Sequence, residues 1–349
     1  EANKKGKSVI VKQASDLFSV GGSIGINCHG WQHDSGSIAS VVDSLEIIDA
    51  NGELRNVSRE KDPELFGCMF GTLGYFGIVV SATLRLEDNT FMQERGVDVP
   101  IKDFTEYYKS NVKNNKNKPL LMGRLNIDGK PLTKVYFNTF DKVLPEINLS
   151  QSPIITESFE FEKHRGARIE RIYLDAVGHL PKSWYDSLAK FYWDREVKIM
   201  DASRVATRNE IMHFGVKSFF QLHQSDLYTQ WLQEYFISEE NLPSFIEFLG
   251  ETLEENDVRL LNASIRPVPK DEISVLPYAE KDRYAIVISF HQQKTKNEMQ
   301  KTEKWIKEVQ KKLLNTGDKW YQAYMPYATQ EEFEQCYGPE TVKKMRELK

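Results

Sequence analysis

The residue types and spacing that point to chemistry are concentrated in Phe18-Ser19-Val20-Gly21-Gly22-Ser23-Ile24-Gly25-Ile26-Asn27-Cys28-His29-Gly30. Glycine admits backbone conformations closed to other residues and lets a ligand approach the main chain. Uncovered N–H groups in such a stretch bind phosphate oxygens, and His29 is the side chain best placed to meet both cofactor and substrate. The spacing is neither Gly-x-Gly-x-x-Gly nor a P-loop ending in Gly-Lys-Ser/Thr, so the common nucleotide fingerprints do not apply. The plainer reading is a Gly-rich turn. Cys28, Cys68 and Cys336 are odd in number and far apart, with no Cys-x-x-Cys. That argues against a disulfide framework, predicts no metal site, and points to a reducing, cytoplasmic compartment.

The elements that must hold this stretch follow from pattern. Ser8–Lys12 reads as a short strand and Ile38–Val42 as a helical turn. Leu45–Asp49 is a strand, and Asn51-Gly52 marks a hairpin. Asp62 caps a helix with Pro63 at its first position. Gly77–Leu86 is a β-branched strand. Strands follow at Leu120–Ile127 and Lys134–Phe140, then an amphipathic helix over Pro181–Met200. Residues 230–324 read strand, helix (Leu242–Glu255), two strands, helix (Asn297–Leu314), strand (Lys319–Tyr324), the βαββαβ order of a ferredoxin-like unit. A sheet with helices on one face leaves the other free to cover a ligand. Polar helices fill Thr329–Lys349.

The 349 residues suit two domains. A 40% hydrophobic and 28% charged composition is that of an ordinary globular chain, and a net charge of −5 gives no reason to expect nucleic acid. No apolar run is long enough to span a bilayer, which leaves peripheral contact open. The basic run Asn111–Lys118 lacks interleaved aromatics and reads as a solvated loop.

Four motifs in order carry a resemblance. They are Val20–Gly30, Ser44–Glu53 with its Asn51-Gly52-Glu53, Asp62-Pro63-Glu64-Leu65-Phe66, and Gly71-Thr72-Leu73-Gly74-Tyr75-Phe76-Gly77-Ile78-Val79. Together they resemble the vanillyl-alcohol-oxidase (PCMH-type) FAD-linked oxidases, most of all the decaprenylphosphoryl-ribose oxidase branch. The resemblance thins toward the C-terminus. It implies an α+β fold: a partial PCMH-type FAD-binding lobe over 1–92, a substrate or cap domain with a ferredoxin-like antiparallel sheet over 93–318, and a segment 319–349 returning to the FAD domain. It also implies an N-terminal FAD lobe that precedes this chain.

By position, the resemblance assigns Ser19, Val20, Gly21, Gly22, Ile26, Asn27, Cys28, His29, Ile78 and Tyr321 to the FAD cofactor. His29 and Tyr324 are its catalytic candidates, and Trp31, Gln233 and Tyr235 face substrate. His33 and Asp34 line the same mouth or form a solvated loop. Gln233 and Tyr235 share one face of a strand by alternation. Trp31 and Tyr324 each stand where the branch carries lysine, and a phenol supplies no positive charge. That implies a substrate other than the branch's phosphorylated lipid, and a less anionic one. The attachment of flavin from this segment is expected to be non-covalent. The expected activity is FAD-dependent oxidation of a C–OH group on a sugar- or polyol-like molecule. The alternatives are a flavin dehydrogenase acting on an amine or hydroxy acid, and a degenerate, non-catalytic ligand-binding homologue.

Overall fold

A computed structural model describes residues 1–14, 18–143, 180–200, 205–219, 227–325 and 327–348. The N-terminal part is built on two small antiparallel sheets. Strand β1 (Lys7–Val9) pairs with β5 (Leu86–Asp88), and β2 (Val42–Ile48) lies between β3 (Leu54–Ser58) and β4 (Ile78–Leu84). The Gly-rich stretch is not an irregular turn. Its first half is a short helix, α1 (Val20–Gly25), whose N-cap Ser19 accepts from the Gly22 N–H. Helix α2 (Pro63–Cys68) starts as its sequence dictates, with Asp62 accepting from Leu65 N–H and proline at the first position. Ile24, Leu45, Ile47, Phe66 and Phe70 close this lobe's core.

The larger part is one eight-stranded sheet in the order β13-β10-β12-β11-β7-β8-β6-β9. The expected unit at 230–324 is present: β10 (Tyr228–Ile237), α6 (Leu242–Glu255), β11 (Leu260–Val268), β12 (Arg283–Gln293), α7 (Lys296–Thr316) and β13 (Lys319–Trp320). Its fourth strand is two residues long because Tyr321 onward leaves the sheet. A second unit of the same order precedes it: β6 (Phe91–Pro100), α3 (Phe104–Asn111), β7 (Leu120–Leu125), β8 (Lys134–Lys142), α4 (Lys182–Met200) and β9 (Val205–Thr207). Helix α5 (Arg208–Phe219) follows it. Each unit orders its strands fourth, first, third, second, and the two second strands meet at a seam where Ser264 opposes Arg124 and Ile265 opposes Gly123. The sequence pattern had suggested one such unit. Residues 144–179, between β8 and α4, lie outside the described residues.

One face of the sheet is closed by helices. Phe104 of α3, Phe245 and Leu249 of α6, and Trp305 and Val309 of α7 bury Ile265, Ile286 and Ile288 in a single core. Along the opposite face, register places Glu234, Val287, Ser264 and Arg124 in one row across β10, β12, β11 and β7. The last helices, α8 (Gln330–Tyr337) and α9 (Pro339–Glu347), run from the large core to the small lobe. Tyr337 is buried in the large core, Leu348 packs on the small lobe, and Lys344 pairs with Glu64 at 2.8 Å. Among the described residues, no helix is long and apolar enough to cross a membrane.

Candidate active site

The second half of the Gly-rich stretch is clamped by groups from the distant half of the chain. Asn27 holds a left-handed φ of 52°, a region asparagine tolerates better than most residues. Its Nδ2 donates to Asp271 Oδ2 at 2.7 Å, and its Oδ1 accepts from Ala39 N–H. The Tyr278 hydroxyl donates to the Asn27 carbonyl and the Tyr321 hydroxyl to the Ile26 carbonyl, both at 2.7 Å. Every polar group of Asn27 is thus used, which fixes the direction in which the chain delivers His29.

His29 is 5% exposed, enclosed by Phe236, Tyr278 and Tyr321 at ring distances of 5.5, 5.8 and 6.3 Å. Its Nε2 lies 2.6 Å from Glu234 Oε1, and both side chains are buried. A carboxylate only accepts, so facing one the proton of this bond belongs on Nε2, and in the neutral imidazole Nδ1 is then the acceptor. Nδ1 is buried with no hydrogen-bond partner. The Tyr324 phenol reaches the same carboxylate, and burial together with Glu234 raises its pKa, so the phenol stays protonated and donates. Arg266 on β11 feels both Glu234 and Tyr324, and burial lowers its pKa. Its Nε is buried without a partner. A positive charge thus stands near Glu234 and Tyr324, on the strand two places away.

The remaining residues divide sharply. Ser19, Val20, Gly21, Gly22 and Ile78 lie on the open side of the small lobe, with Val20 49% and Ile78 69% exposed. A Cβ on Gly21 would meet only Val79, at 3.8 Å, and one on Gly22 only Ser19 Oγ, at 3.1 Å. Among the described residues the first turn of α1 is thus lightly covered, with the Gly22 N–H taken by the Ser19 hydroxyl. Ile26 is half-buried between the two cores. Cys28 is inside the small lobe, its N–H donating to Ser23 and its carbonyl accepting from Ile38. Burial pushes its thiol up to about 12, which leaves almost no thiolate for attack on a cofactor.

Two expectations about substrate-facing residues change. Gln233 and Tyr235 do share a face, but it is the helix-covered one: Tyr235 is fully buried with its ring 5.6 Å from that of Phe245. The residues on the other face are Leu232, Glu234 and Phe236. Alternation alone separates the two sets without saying which is inside. The better signal is Glu234, the only carboxylate in β10 and hence a group that burial tolerates only with partners. Trp31 is 6% exposed and stacks on Phe140 at 6.0 Å, with its Nε1 buried and unpartnered. His33 is tied to the Lys118 carbonyl at 2.6 Å and lines, with Asp34, Tyr108, Lys113 and Asp282, a cavity of about 200 Å³ that none of the His29 cluster lines. Sequence reasoning missed Glu234, Arg266, Asp271 and Tyr278. No group of three or more potential metal ligands occurs among the described residues.

No family model matches the chain. Over 68 residues it is 40% identical to D-arabinono-1,4-lactone oxidase of Saccharomyces cerevisiae, covering 20% of this chain and 13% of that protein. Over 70 residues it is 40% identical to decaprenylphosphoryl-beta-D-ribose oxidase of Mycolicibacterium smegmatis, covering 20% and 15%. Over 83 residues it is 31% identical to the FAD-linked oxidoreductase tazL of Aspergillus terreus, covering 24% and 17%. The matched stretches span less than a fifth of these relatives. The similarity is to FAD-linked oxidoreductases as a class.

Proposed function

We propose that the chain is part of an FAD-dependent oxidoreductase that oxidises a C–OH group of a sugar- or polyol-like substrate. The observation that carries this reading is the His29–Glu234 pair. A buried imidazole, oriented through Nε2 by a carboxylate, keeps an unpartnered Nδ1 at the end of the helix–loop that starts at α1. That is the arrangement of a general base steadied by an acid partner.

The residues fit the cofactor at α1, where a Cβ on Gly21 would meet nothing nearer than Val79 at 3.8 Å, and at exposed Ile78, which offers apolar contact. A bound FAD would supply the two-electron acceptor for the substrate's hydride. The chain's own task is the proton. His29 Nδ1 accepts it from the substrate hydroxyl, Glu234 stabilises the imidazolium through Nε2, and the Tyr324 hydroxyl steadies Glu234. Tyr278, Tyr321 and Asp271 keep the backbone of 26–29 in place. Phe18, Val20, Leu73, Tyr75, Ile78 and Val80 leave an open apolar surface around α1 and β4, which supports a further FAD-binding lobe as its cover.

The test is the purified full-length protein. A yellow protein whose flavin band bleaches anaerobically with a sugar or polyol supports the reading. A colourless protein that takes up no added FAD, or a flavin that no member of a sugar, polyol and hydroxy-acid panel reduces, overturns it.

A further inference from the structure

Three tyrosines form a ladder that starts beside His29. The rings of Tyr278 and Tyr321 are 5.3 Å apart, and those of Tyr321 and Tyr324 5.6 Å. The two inner rings border the imidazole at 5.8 and 6.3 Å. Tyr278 and Tyr321 are buried and Tyr324 is partly exposed, so the ladder leads outward. What changes along it is the partner of each hydroxyl. Tyr278 donates to the Asn27 carbonyl and Tyr321 to the Ile26 carbonyl, both at 2.7 Å. Tyr324 donates to the Glu234 carboxylate. A peptide carbonyl accepts a hydrogen bond without taking the proton, whereas a carboxylate can take it and become a carboxylic acid. A phenol that loses an electron becomes a very strong acid. One that hands its proton to a base as the electron leaves is therefore far easier to oxidise than one that must keep it.

We propose that Tyr324 is a redox-active tyrosine, where a one-electron oxidising equivalent that enters the His29 pocket comes to rest. One electron passes from the Tyr324 ring to the oxidant, a metal(III) complex or an organic radical, which is reduced by one. The Oη–H bond breaks and its proton joins Glu234. A neutral phenoxyl radical and a carboxylic acid thus replace a phenol and a carboxylate. Oxidised Tyr278 or Tyr321 has no base for its proton and is refilled by an electron from the next ring outward. At the partly exposed end a one-electron reductant restores the phenol, with the proton returning from Glu234. His29 is spared oxidation in the process. No flavin takes part in this step, so it stands or falls apart from the oxidoreductase reading.

The test is electron paramagnetic resonance of the full-length protein, frozen after flash oxidation by photogenerated tris(bipyridine)ruthenium(III). A tyrosyl signal is expected, and Tyr324→Phe should remove its longest-lived component. Glu234→Gln keeps the ring and removes the base, and should lower that component at least about tenfold, the effect of about 59 mV on a one-electron step. In heavy water the wild-type radical should show one strongly coupled exchangeable deuteron, the one held by Glu234. This last measurement needs no variant, so it decides the proton step even if Glu234→Gln does not fold. A long-lived signal that survives in Tyr324→Phe, or a wild-type radical without the deuteron, overturns the assignment. So does a signal abolished by Tyr108→Phe instead, since the Tyr108 hydroxyl meets a second base, His33 Nδ1, at 3.3 Å.

Discussion

Glu234 Oε1 and His29 Nε2 meet at 2.6 Å across 205 positions of sequence, with both side chains buried. The bond crosses between the small lobe and the sheet. It therefore reports two things at once: how the lobes are docked, and which nitrogen of His29 is available for chemistry.

If the two act as one unit, their removal is not additive. His29→Gln and Glu234→Gln should each lower the rate of anaerobic flavin reduction by about a hundredfold or more. Glutamine is chosen because truncating one partner of a buried pair costs about 3–5 kcal/mol by stranding the other charge. The double variant should be no slower than the worse single one. Stopped-flow rates that multiply across the double variant would separate the residues into independent roles.

Two glycines of the same stretch should behave oppositely. A Cβ on Gly30 falls 1.9 Å from the Lys12 carbonyl oxygen and 2.6 Å from Gln32 Oε1. Gly30→Ala must push two backbone segments apart, at a cost of about 1–3 kcal/mol or more. Gly22 has only Ser19 Oγ within reach of its missing Cβ. Gly22→Val should leave the unfolding midpoint nearly unchanged while abolishing FAD retention. Wild-type flavin content in that variant would show that the first turn of α1 does not meet the cofactor.

Much of this was legible because strong local signals agreed with the fold. Asp62-Pro63 started a helix, Asn51-Gly52 turned a hairpin, and the apolar spacing of Phe245, Leu249 and Leu253 marked the buried side of α6. The first ferredoxin-like unit was legible only in part: β7, β8 and α4 were read, whereas β6, α3 and β9 were not. Strand β6 carries Gln93, Glu94, Arg95, Gly96 and Asp98, a polar pattern whose pairing with β8 is satisfied only by tertiary contact. The site was half legible. His29 stood out by type, whereas Glu234 and Arg266 depended on which face of the sheet the helices cover. Asp271 lies in a loop whose role exists only once Asn27 arrives.

Asp271 is the heaviest single clamp on that stretch. Its carboxylate accepts from Asn27 Nδ2, Ser37 Oγ, Ser274 Oγ and the backbone N–H groups of Ile273 and Ser274. Asp271→Ala strands several buried donors at about 1–3 kcal/mol each before relaxation. Denaturant unfolding should show a loss of about 3 kcal/mol or more. A loss below about 1 kcal/mol, the scale of a typical single hydrogen bond, would mean that Asn27 holds its left-handed backbone without help.

Buried thiols set a direction at alkaline pH. Burial raises Cys28 and Cys336 from 9.0 to about 12. A folded-state pKa above the unfolded one stabilises fully below the unfolded value and is lost as pH climbs toward the folded value. Each thiol therefore withdraws up to about 1.4 kcal/mol per pH unit between those limits. Relative to wild type, Cys28→Ala should lose less stability between about pH 8 and about pH 10.5, when urea unfolding is compared at both. Parallel curves would mean that the thiol ionises as easily folded as unfolded.

The seam between the two units gives the sharpest packing test. Gly123 opposes Ile265, and a Cβ there would stand 2.6 Å from Ile265 Cγ2 and 2.9 Å from its carbonyl oxygen. Glycine is required because the side chain of Ile265 occupies the space that a neighbour's Cβ would take. Gly123→Ala should destabilise by about 1–3 kcal/mol, and Ile265→Ala by about 2–5 kcal/mol through the cavity it leaves. Together they should cost clearly less than their sum, since the second alanine vacates the room the first one needs. The shortfall will be incomplete, because the carbonyl oxygen stays where it is. Strictly additive losses in denaturant unfolding would show that the two strands do not meet in this register.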